Sequence, residues 1–250
     1  MGRQRSLQNY SNYNNSNYNS CSNYNNYGET IMRKLYALYT VNNFMEMIYN
    51  PFAKPFEEEH PDIKIYNIMD DSLLADTRTQ GGMTPVTASR MLHYAKAAEA
   101  SGAEGIIVTC TSVNEATKMI RPFLHIPIIN IEEPVAEEAV EKGSRIGVLA
   151  TLPTSPAAIG RVIQEKADRK GKKIEIVNRV VDGAFDILCA GDRLRHDEMI
   201  REELYSLARE VDVIAFAQIS MSLLQFEPVD VPVCMIGRSG FESIYSKMNK

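Results

Sequence analysis

The residue with the clearest chemical potential is Cys110. A predicted strand of apolar residues runs directly into it, two hydroxyl residues, Thr111 and Ser112, follow, and a helix is predicted from Val113. A cysteine at a helix N-terminus gains from free N–H groups and the helix dipole, which favour the thiolate. The same N–H groups, with the two hydroxyls, can bind a carboxylate or an enolate oxygen. The alternative is that Cys110 is a small buried apolar side chain, as many free cysteines are.

The other predicted strand ends carry hydroxyl and amide side chains. Gln218 lies at the strand end that corresponds to Cys110 in the second half of the chain, and Ser220 follows it. A glutamine can form hydrogen bonds with a substrate, but it cannot exchange a proton usefully near neutral pH. The remaining strand ends offer Thr40, Asn42, Thr151 and Thr154. Such groups suit a small, oxygen-rich ligand such as an amino or carboxylic acid, although each is also common as a helix cap.

Several familiar cofactor and metal motifs are missing from the sequence. There is no GxGxxG, P-loop or HExxH pattern, so nothing points to a dinucleotide, a nucleoside triphosphate or zinc. The four histidines are not paired at ligand spacing, and the four cysteines form no CxxC or Cys/His cluster. We therefore expect no metal and no cofactor, and we interpret Cys189 and Cys234 as structural.

The composition limits which classes of binding partner and which cellular location we expect for the protein. With 27 Lys and Arg against 32 Asp and Glu, the net charge is -5, which argues against a nucleic-acid binder. No apolar run reaches the ~18 residues that a membrane helix needs, and the N-terminus lacks the apolar segment of a signal peptide. Cysteines without a disulfide pattern fit a reducing setting, so a cytoplasmic location is predicted. Association into a homo-oligomer is left open.

Strands and helices must alternate to bring the polar residues together. Short apolar, β-branched or aromatic runs predict eight strands, at residues 35–41, 63–69, 105–110, 127–131, 145–151, 173–178, 212–218 and 232–236. Helical patterns occupy residues 86–100, 134–141, 156–170 and 196–209. Several strand runs are apolar almost throughout, which is typical of strands covered on both faces. This alternation predicts an α/β fold whose parallel strands are joined by right-handed crossovers.

The alternation is repeated, which predicts two pseudo-symmetric, doubly wound parallel-sheet lobes. The ends of the first and third strands are 70 positions apart in the first half and 67 in the second. We place the first lobe at residues 32–131 and the second at 132–236, with residues 237–250 packing back on the first. Ligands of such sheets lie beyond the carboxyl ends of the strands, so we expect an active-site cleft between the lobes.

Residues 1–31 are predicted to be a disordered tail. Within them, positions 9–27 contain only Asn, Tyr and Ser apart from Cys21. Because no aliphatic side chain is present in this stretch, burial of apolar surface cannot offset the entropy lost on ordering the chain. An inert tail is the simplest interpretation, and self-association of the Asn/Tyr-rich segment is the alternative.

Taken together, these features resemble the aspartate/glutamate/hydantoin racemase family. The resemblance covers residues 32–250 and rests on three segments: GAEGIIVTC ending at Cys110 with its Thr-Ser turn, IGVLAT ending at Thr151, and the second turn at Gln218. It implies a cofactor-independent enzyme in which two cysteines face each other across the cleft. One cysteine removes the α-proton as a thiolate, and the other returns a proton on the opposite face.

The resemblance also implies roles for individual residues. Cys110 takes the position of the first catalytic cysteine, and the hydroxyl residues at positions 111, 112, 151 and 154 surround the substrate carboxylate. Positions 40 and 42 supply contacts after the first strand. The full set of implied substrate-binding residues is Thr40, Asn42, Thr111, Ser112, Thr151, Thr154, Gln218 and Ser220.

The sequence departs from the family at the second cysteine, where Gln218 stands. In a first interpretation the protein racemises or epimerises with Ser220 or a water in place of the second thiol. In a second it catalyses a one-cysteine reaction, as the related arylmalonate decarboxylase does, although from the opposite half of the chain. In a third it binds a small carboxylate without turnover. Loss of one of two acid/base groups lowers the rate of racemisation by ~10²–10⁴. Decarboxylation needs only one proton donor, so the missing second cysteine does not count against it.

Among these interpretations we favour a racemase/isomerase-type enzyme that acts at the α-carbon of a small amino acid or related carboxylate. Cys110 is its predicted proton-transfer residue. The expected partner is the small-molecule substrate, with no nucleic acid and no membrane.

Overall fold

Two four-stranded parallel sheets form the framework of residues 32–250, the part of the chain that the computed structural model describes. The predicted tail, residues 1–31, lies outside the described residues. The strands are β1 (Arg33–Tyr39), β2 (Ile63–Met69), β3 (Ala103–Val108), β4 (Ile128–Asn130), β5 (Arg145–Ala150), β6 (Glu175–Val180), β7 (Val213–Phe216) and β8 (Val233–Cys234). Each overlaps one predicted run, and the prediction of a parallel α/β fold is confirmed.

Both sheets have the same strand order. The first is arranged β2-β1-β3-β4 and the second β6-β5-β7-β8, and every neighbouring pair is parallel. This order places β1 and β3 at the centre of the first sheet, and β5 and β7 at the centre of the second. The repeat predicted from the sequence is therefore present in the topology. The lobe boundaries after residues 131 and 236 remain predictions, because residues 32–250 form a single contact unit.

The helices cover both sheets. Over the described residues they are α1 (Lys54–Glu59), α2 (Ser72–Thr79), α3 (Pro85–Ala100), α4 (Asn114–Ile120), α5 (Glu133–Lys142), α6 (Ser155–Arg169), α7 (Ala184–Cys189), α8 (Arg193–Leu207) and α9 (Arg238–Met248). Helices α3, α5, α6 and α8 match the four helical patterns, and α4 follows the Cys110 turn as expected. A π-helix, Met45–Ala53, precedes α1. The π-helix, α1, α2 and α7 are short and depend on packing more than on local propensity, which explains why the pattern missed them.

Local signals explain where the clearest helix begins. Thr84 caps α3 by accepting a hydrogen bond from the Thr87 N–H at 3.2 Å, and Pro85 occupies the first helical turn. Met91 and Ala95, on one face of the helix, are buried in a cluster that also contains side chains of β3. The cap and the apolar face together fix α3 against the first sheet.

The largest apolar cluster is shared by the two sheets. It contains Ile107 of β3, Val148 of β5 and Phe241 of α9. The two sheets are therefore held by one continuous core, which fixes the positions of their strand ends. Within residues 32–250, none of the helices has the length and apolar content to cross a membrane.

Helix α9 lies very close to Ile131 at Gly240, and substitution there tests this packing. A Cβ atom on Gly240 would lie 2.9 Å from the backbone oxygen of Ile131. Because backbone cannot yield as a flexible side chain can, we expect Gly240→Ala to lower the free energy of unfolding in urea by about 1–3 kcal/mol.

Gly160→Ala is the matched control for this substitution. Gly160 lies in α6, and its added Cβ would have its nearest neighbour, a side-chain carbon of Ile176, 3.9 Å away. Alanine should therefore raise the stability of the helix by about 0.5–1 kcal/mol. Equal effects of the two substitutions would contradict the close packing of α9.

Candidate functional site

Two turns of the same form follow the central strands β3 and β7. Cys110 precedes the 3-10 turn Thr111–Val113, and Gln218 precedes the 3-10 turn Ile219–Met221. Both residues have an extended backbone, with φ angles of -135° and -138°. Cys110 and Gln218 therefore occupy equivalent positions in the two sheets.

A small cavity of about 40 Å³ lies against both turns. Six of the predicted site residues line it: Thr40, Cys110, Thr111, Ser112, Gln218 and Ser220. Thr40 directly follows β1, so strands of both sheets bring side chains to the same space. A cavity of this size holds only a few water molecules, so the elements around it must move apart to admit a substrate.

Three predicted site residues lie beside the cavity, outside its wall. The backbone N–H of Thr151 donates to Oε1 of Gln218 at 2.9 Å. The hydroxyls of Thr154 and Ser112 lie 3.1 Å apart and form a hydrogen bond. Asn42 lines a neighbouring cavity of about 350 Å³. Thr151 and Thr154 thus contact residues of the wall, whereas Asn42 faces a different space.

The cavity wall also contains residues that the sequence did not single out as ligands. Ser155, the first residue of α6, is fully buried and lines the cavity. Thr109 and seven apolar side chains complete the wall: Val41, Met47, Ile48, Leu74, Leu152, Phe185 and Ile219. None of the described residues that line this cavity is charged.

The surroundings of the Cys110 thiol differ from the thiolate site predicted from the turn. Burial raises the pKa of the thiol, and it outweighs the Thr40 hydroxyl and the N–H groups of Ser112 and Val113, which lower that pKa. The charge of Glu132 raises it further. Removal of a charged group from water is costly, and a three-residue turn offers few N–H groups in compensation. Burial therefore opposes the preference for a thiolate that the turn alone predicts.

Four polar atoms beside the cavity are buried without a protein hydrogen-bond partner. They are the side-chain oxygens of Thr151, Ser155 and Ser220 and the Nε2 atom of Gln218. Buried polar groups in proteins are nearly always satisfied, so this concentration at one place is unusual. These atoms supply donors and acceptors that a bound carboxylate can use.

Helices α2 and α7 close the outer side of the cavity. Leu74 of α2 and Phe185 of α7 belong to one small buried cluster with Leu152. Arg78 of α2 forms an exposed ion pair with Asp186 of α7 at 2.9 Å, and its guanidinium lies 5.7 Å from the Phe185 ring centre. Because α2 follows β2 and α7 follows β6, each sheet contributes one of these two helices.

The other described cysteines lie outside the cavity wall. Cys234 is buried in β8, and burial raises its pKa to about 12. Cys189 is exposed at the end of α7. Within residues 32–250, no three His, Cys, Asp or Glu side chains are grouped so that they could hold a metal ion.

Comparison with known protein families identifies the relatives of this chain. A family model described as Asp/Glu/Hydantoin racemase matches residues 58–238. The chain belongs to the Asp/Glu/hydantoin racemase family. Racemases are isomerases, so the class of enzyme predicted from the sequence is confirmed, and the exact reaction stays a proposal.

Solved racemase structures share the fold of this family member at low sequence identity. An aspartate racemase homologue from Pyrococcus horikoshii OT3 has a TM-score of 0.65 at 18% identity, over 88% of this chain and 100% of its own. Allantoin racemase from Klebsiella pneumoniae has a TM-score of 0.63 at 13% identity, over 86% of each chain. A glutamate racemase from Bacillus anthracis has a TM-score of 0.61 at 15% identity, over 86% of this chain and 79% of its own. Comparison with curated protein sequences gave no match.

The contact between Thr40 and Cys110 can be tested without a substrate. Thr40→Val keeps the side-chain shape but removes the hydroxyl that lowers the pKa of Cys110. A hydrogen bond to a charged group contributes about 1.5–3 kcal/mol, so alkylation of Cys110 by iodoacetamide near neutral pH should slow by about tenfold or more. Thr40→Ser keeps the hydroxyl and should react like the wild type. An unchanged rate in Thr40→Val would show that Thr40 does not stabilise the thiolate.

Proposed function

We propose that this member of the racemase family acts at the α-carbon of a small amino acid or related carboxylate, with Cys110 as the proton-transfer residue. The observation that supports this most strongly is the place of Cys110 in a cavity lined by hydroxyl groups, at the carboxyl ends of the central strands. Cofactor independence is part of the proposal, because the thiol itself carries the proton.

The chemistry requires a bound carboxylate and a stabilised carbanion. The α-proton of an amino acid is very weakly acidic, so its removal needs a desolvated base and groups that share the developing negative charge. Ser112 and Ser220 are the middle residues of the two turns, and both line the cavity with Thr111. The unpartnered hydroxyl of Ser155 lines it as well. We assign carboxylate binding to these hydroxyls and to the N–H groups of the turns.

The residues beside the cavity are proposed to act indirectly, by holding the side chains that form its wall. Thr151 holds Gln218, and Thr154 holds Ser112. Thr40, which is part of the wall, lowers the pKa of Cys110. A role for Asn42 requires that the neighbouring cavity join this one when α2 moves. The cytoplasmic location and the assembly state stay predictions.

Gln218 favours a second candidate function. Its amide cannot return a proton on the face opposite Cys110, so racemisation would have to use Ser220 or a water there. A decarboxylation needs only one donor, because loss of CO₂ leaves an electron pair on the α-carbon and one thiol protonates it. Cys110 is the one cysteine among the described residues of this wall, and burial raises its pKa. A decarboxylase of the arylmalonate decarboxylase type is therefore the second candidate.

Proton NMR in D₂O distinguishes the candidate functions. The full chain is incubated with amino acids, hydantoins and substituted malonates. Exchange of the α-proton with gain of the opposite enantiomer identifies racemisation, whereas release of CO₂ with one deuteron incorporated identifies decarboxylation. We expect Cys110→Ala to lower either rate by ~10²–10⁴ with an unchanged melting temperature.

Two results would reject parts of this proposal. Full turnover in Cys110→Ala would remove Cys110 from the mechanism. Binding of panel compounds by calorimetry without any turnover would indicate a carboxylate-binding protein that lacks catalysis.

The uncharged cavity wall predicts a preference among substrates. A second ionised group brought into it would lose its hydration without gaining an opposite charge, which costs several kcal/mol. We therefore expect compounds with an uncharged α-substituent to react with a kcat/KM about tenfold or more above that of aspartate and glutamate. Parallel kinetics on one preparation measure this ratio, and a preference for aspartate or glutamate would contradict it.

A further inference from the structure

Helices α2 and α7 cover Cys110 on the outer side of the cavity. Leu74 of α2, Phe185 of α7 and Leu152 form one buried cluster, and Cys110 packs against it. The exposed fraction of each of the three side chains is 4–7%. Because the cavity of about 40 Å³ has no room for an amino acid, a substrate cannot reach the thiol while this cluster is intact.

Both helices also line a larger cavity of about 350 Å³. Four residues line this cavity and the small one: Thr40 and Val41, which follow β1, and Leu74 and Phe185 of the two helices. A space of this size is ordinary for a small-molecule site. Leu74 and Phe185 are therefore the helical part of the partition between the thiol and a space large enough for its substrate.

An exposed ion pair joins the two helices beside this partition. Nη2 of Arg78 lies 2.9 Å from Oδ1 of Asp186, and the guanidinium carbon lies 5.7 Å from the centre of the Phe185 ring. The side chains of Arg78 and Asp186 are 42% and 68% exposed, so water and salt weaken their attraction. An exposed pair of this kind shifts an equilibrium by about fivefold at most, so it holds the helices together without locking them.

Both ends of α7 have a backbone that is suited to a hinge. Gly183 directly precedes the helix with a φ of 76°, and Gly191 lies two positions after its last residue with a φ of 93°. A Cβ atom on either glycine would have no heavy atom within 4 Å, so both ends of α7 have open space around them. Glycine tolerates the changes in backbone angles that a hinge requires.

Helix α2 is tied to α3 at its beginning and faces open space at its end. Arg90 of α3 donates to Asp76 at 2.8 Å and to the hydroxyl of Ser72, the first residue of α2. Gly81 and Gly82 follow the last turn of α2, and a Cβ atom on either would have no heavy atom within 4 Å. The end of α2 that forms the ion pair with α7 therefore has fewer restraints than its beginning.

We propose that α2 and α7 form a gate over Cys110, latched by the ion pair of Arg78 and Asp186, whose opening joins the small cavity to the larger one and admits the substrate. The inference rests on the proposed role of Cys110 and names the route by which its substrate enters. Closure of the gate returns Leu74 and Phe185 to their places and shields the reacting carbon from water. Solvent is then kept from protonating the carbanion in place of the thiol.

The rate of Cys110 alkylation by iodoacetamide tests the latch without a substrate. The full chain and its Asp186→Asn variant are treated at one pH in roughly 20 mM and 500 mM NaCl, and modification of Cys110 is followed by peptide mass spectrometry. We expect Asp186→Asn to react about two- to fivefold faster than the wild type at low salt, because its gate is open for a larger fraction of the time. High salt should bring the wild type towards the variant and should change the variant little.

The comparison reports access to the thiol and not its ionisation. Among the described residues, those that shift the pKa of Cys110 do not include Asp186, and iodoacetamide carries no charge. A variant that reacts no faster than the wild type, or an equal salt effect in the two proteins, overturns the inference. No turnover is needed, so the result is independent of whether Cys110→Ala loses activity.

Glu198→Gln is the matched control, because it removes a similarly exposed ion pair, with Arg195, from the neighbouring helix α8. Its alkylation rate should match that of the wild type at both salt concentrations. A rise as large as that of Asp186→Asn would overturn the specific role of the latch.

Arg78→Gln covers the case in which Asp186→Asn does not fold. It breaks the same ion pair from the side of α2, so its alkylation rate at low salt should also rise about two- to fivefold above that of the wild type. A rate at or below that of the wild type overturns the inference.

Discussion

Parallel strands of one sheet end at the same edge, and the candidate site depends on this constraint. The central strands of two sheets end around one small space, so Thr40, Cys110, Thr151 and Gln218 become close neighbours although they are far apart in the sequence. Beyond the last ladder bond the backbone N–H groups are no longer paired with a strand, and short polar side chains collect there. The shared apolar core packs the two sheets against each other, and the cavity at their edges is small.

The polar half of this site was predictable from sequence, and the apolar half was not. Cys110 and Gln218 follow long apolar runs, and such runs indicate buried strands whose ends can be counted along the chain. Met47, Leu74 and Phe185 come from a π-helix and two short helices, where too few residues repeat for a periodic pattern to emerge. Their positions are decided by packing against distant strands, and local sequence does not contain that information.

The protonation state of Cys110 illustrates the same division between local and distant causes. The turn that follows Cys110 is a local feature, and it offers N–H groups that favour a thiolate. Burial is a property of the whole wall, including Leu74 and Phe185 from elements far along the chain, and its effect on the pKa is larger. The charge of Glu132, at the start of α5, raises that pKa further. A motif therefore identified the proposed proton-transfer residue, whereas the surroundings of its thiol depend on the whole wall.

The two halves of the protein repeat the framework without repeating the chemistry. Gln218 occupies the place of Cys110, but it accepts a hydrogen bond from the Thr151 N–H and cannot exchange a proton. A reaction that needs an acid and a base on opposite faces of a carbon atom requires matched groups in both halves. A reaction that only protonates a carbanion requires one. Under the proposed role of Cys110, this asymmetry limits proton delivery by a thiol to one face of the substrate, which would set the configuration of a protonated product.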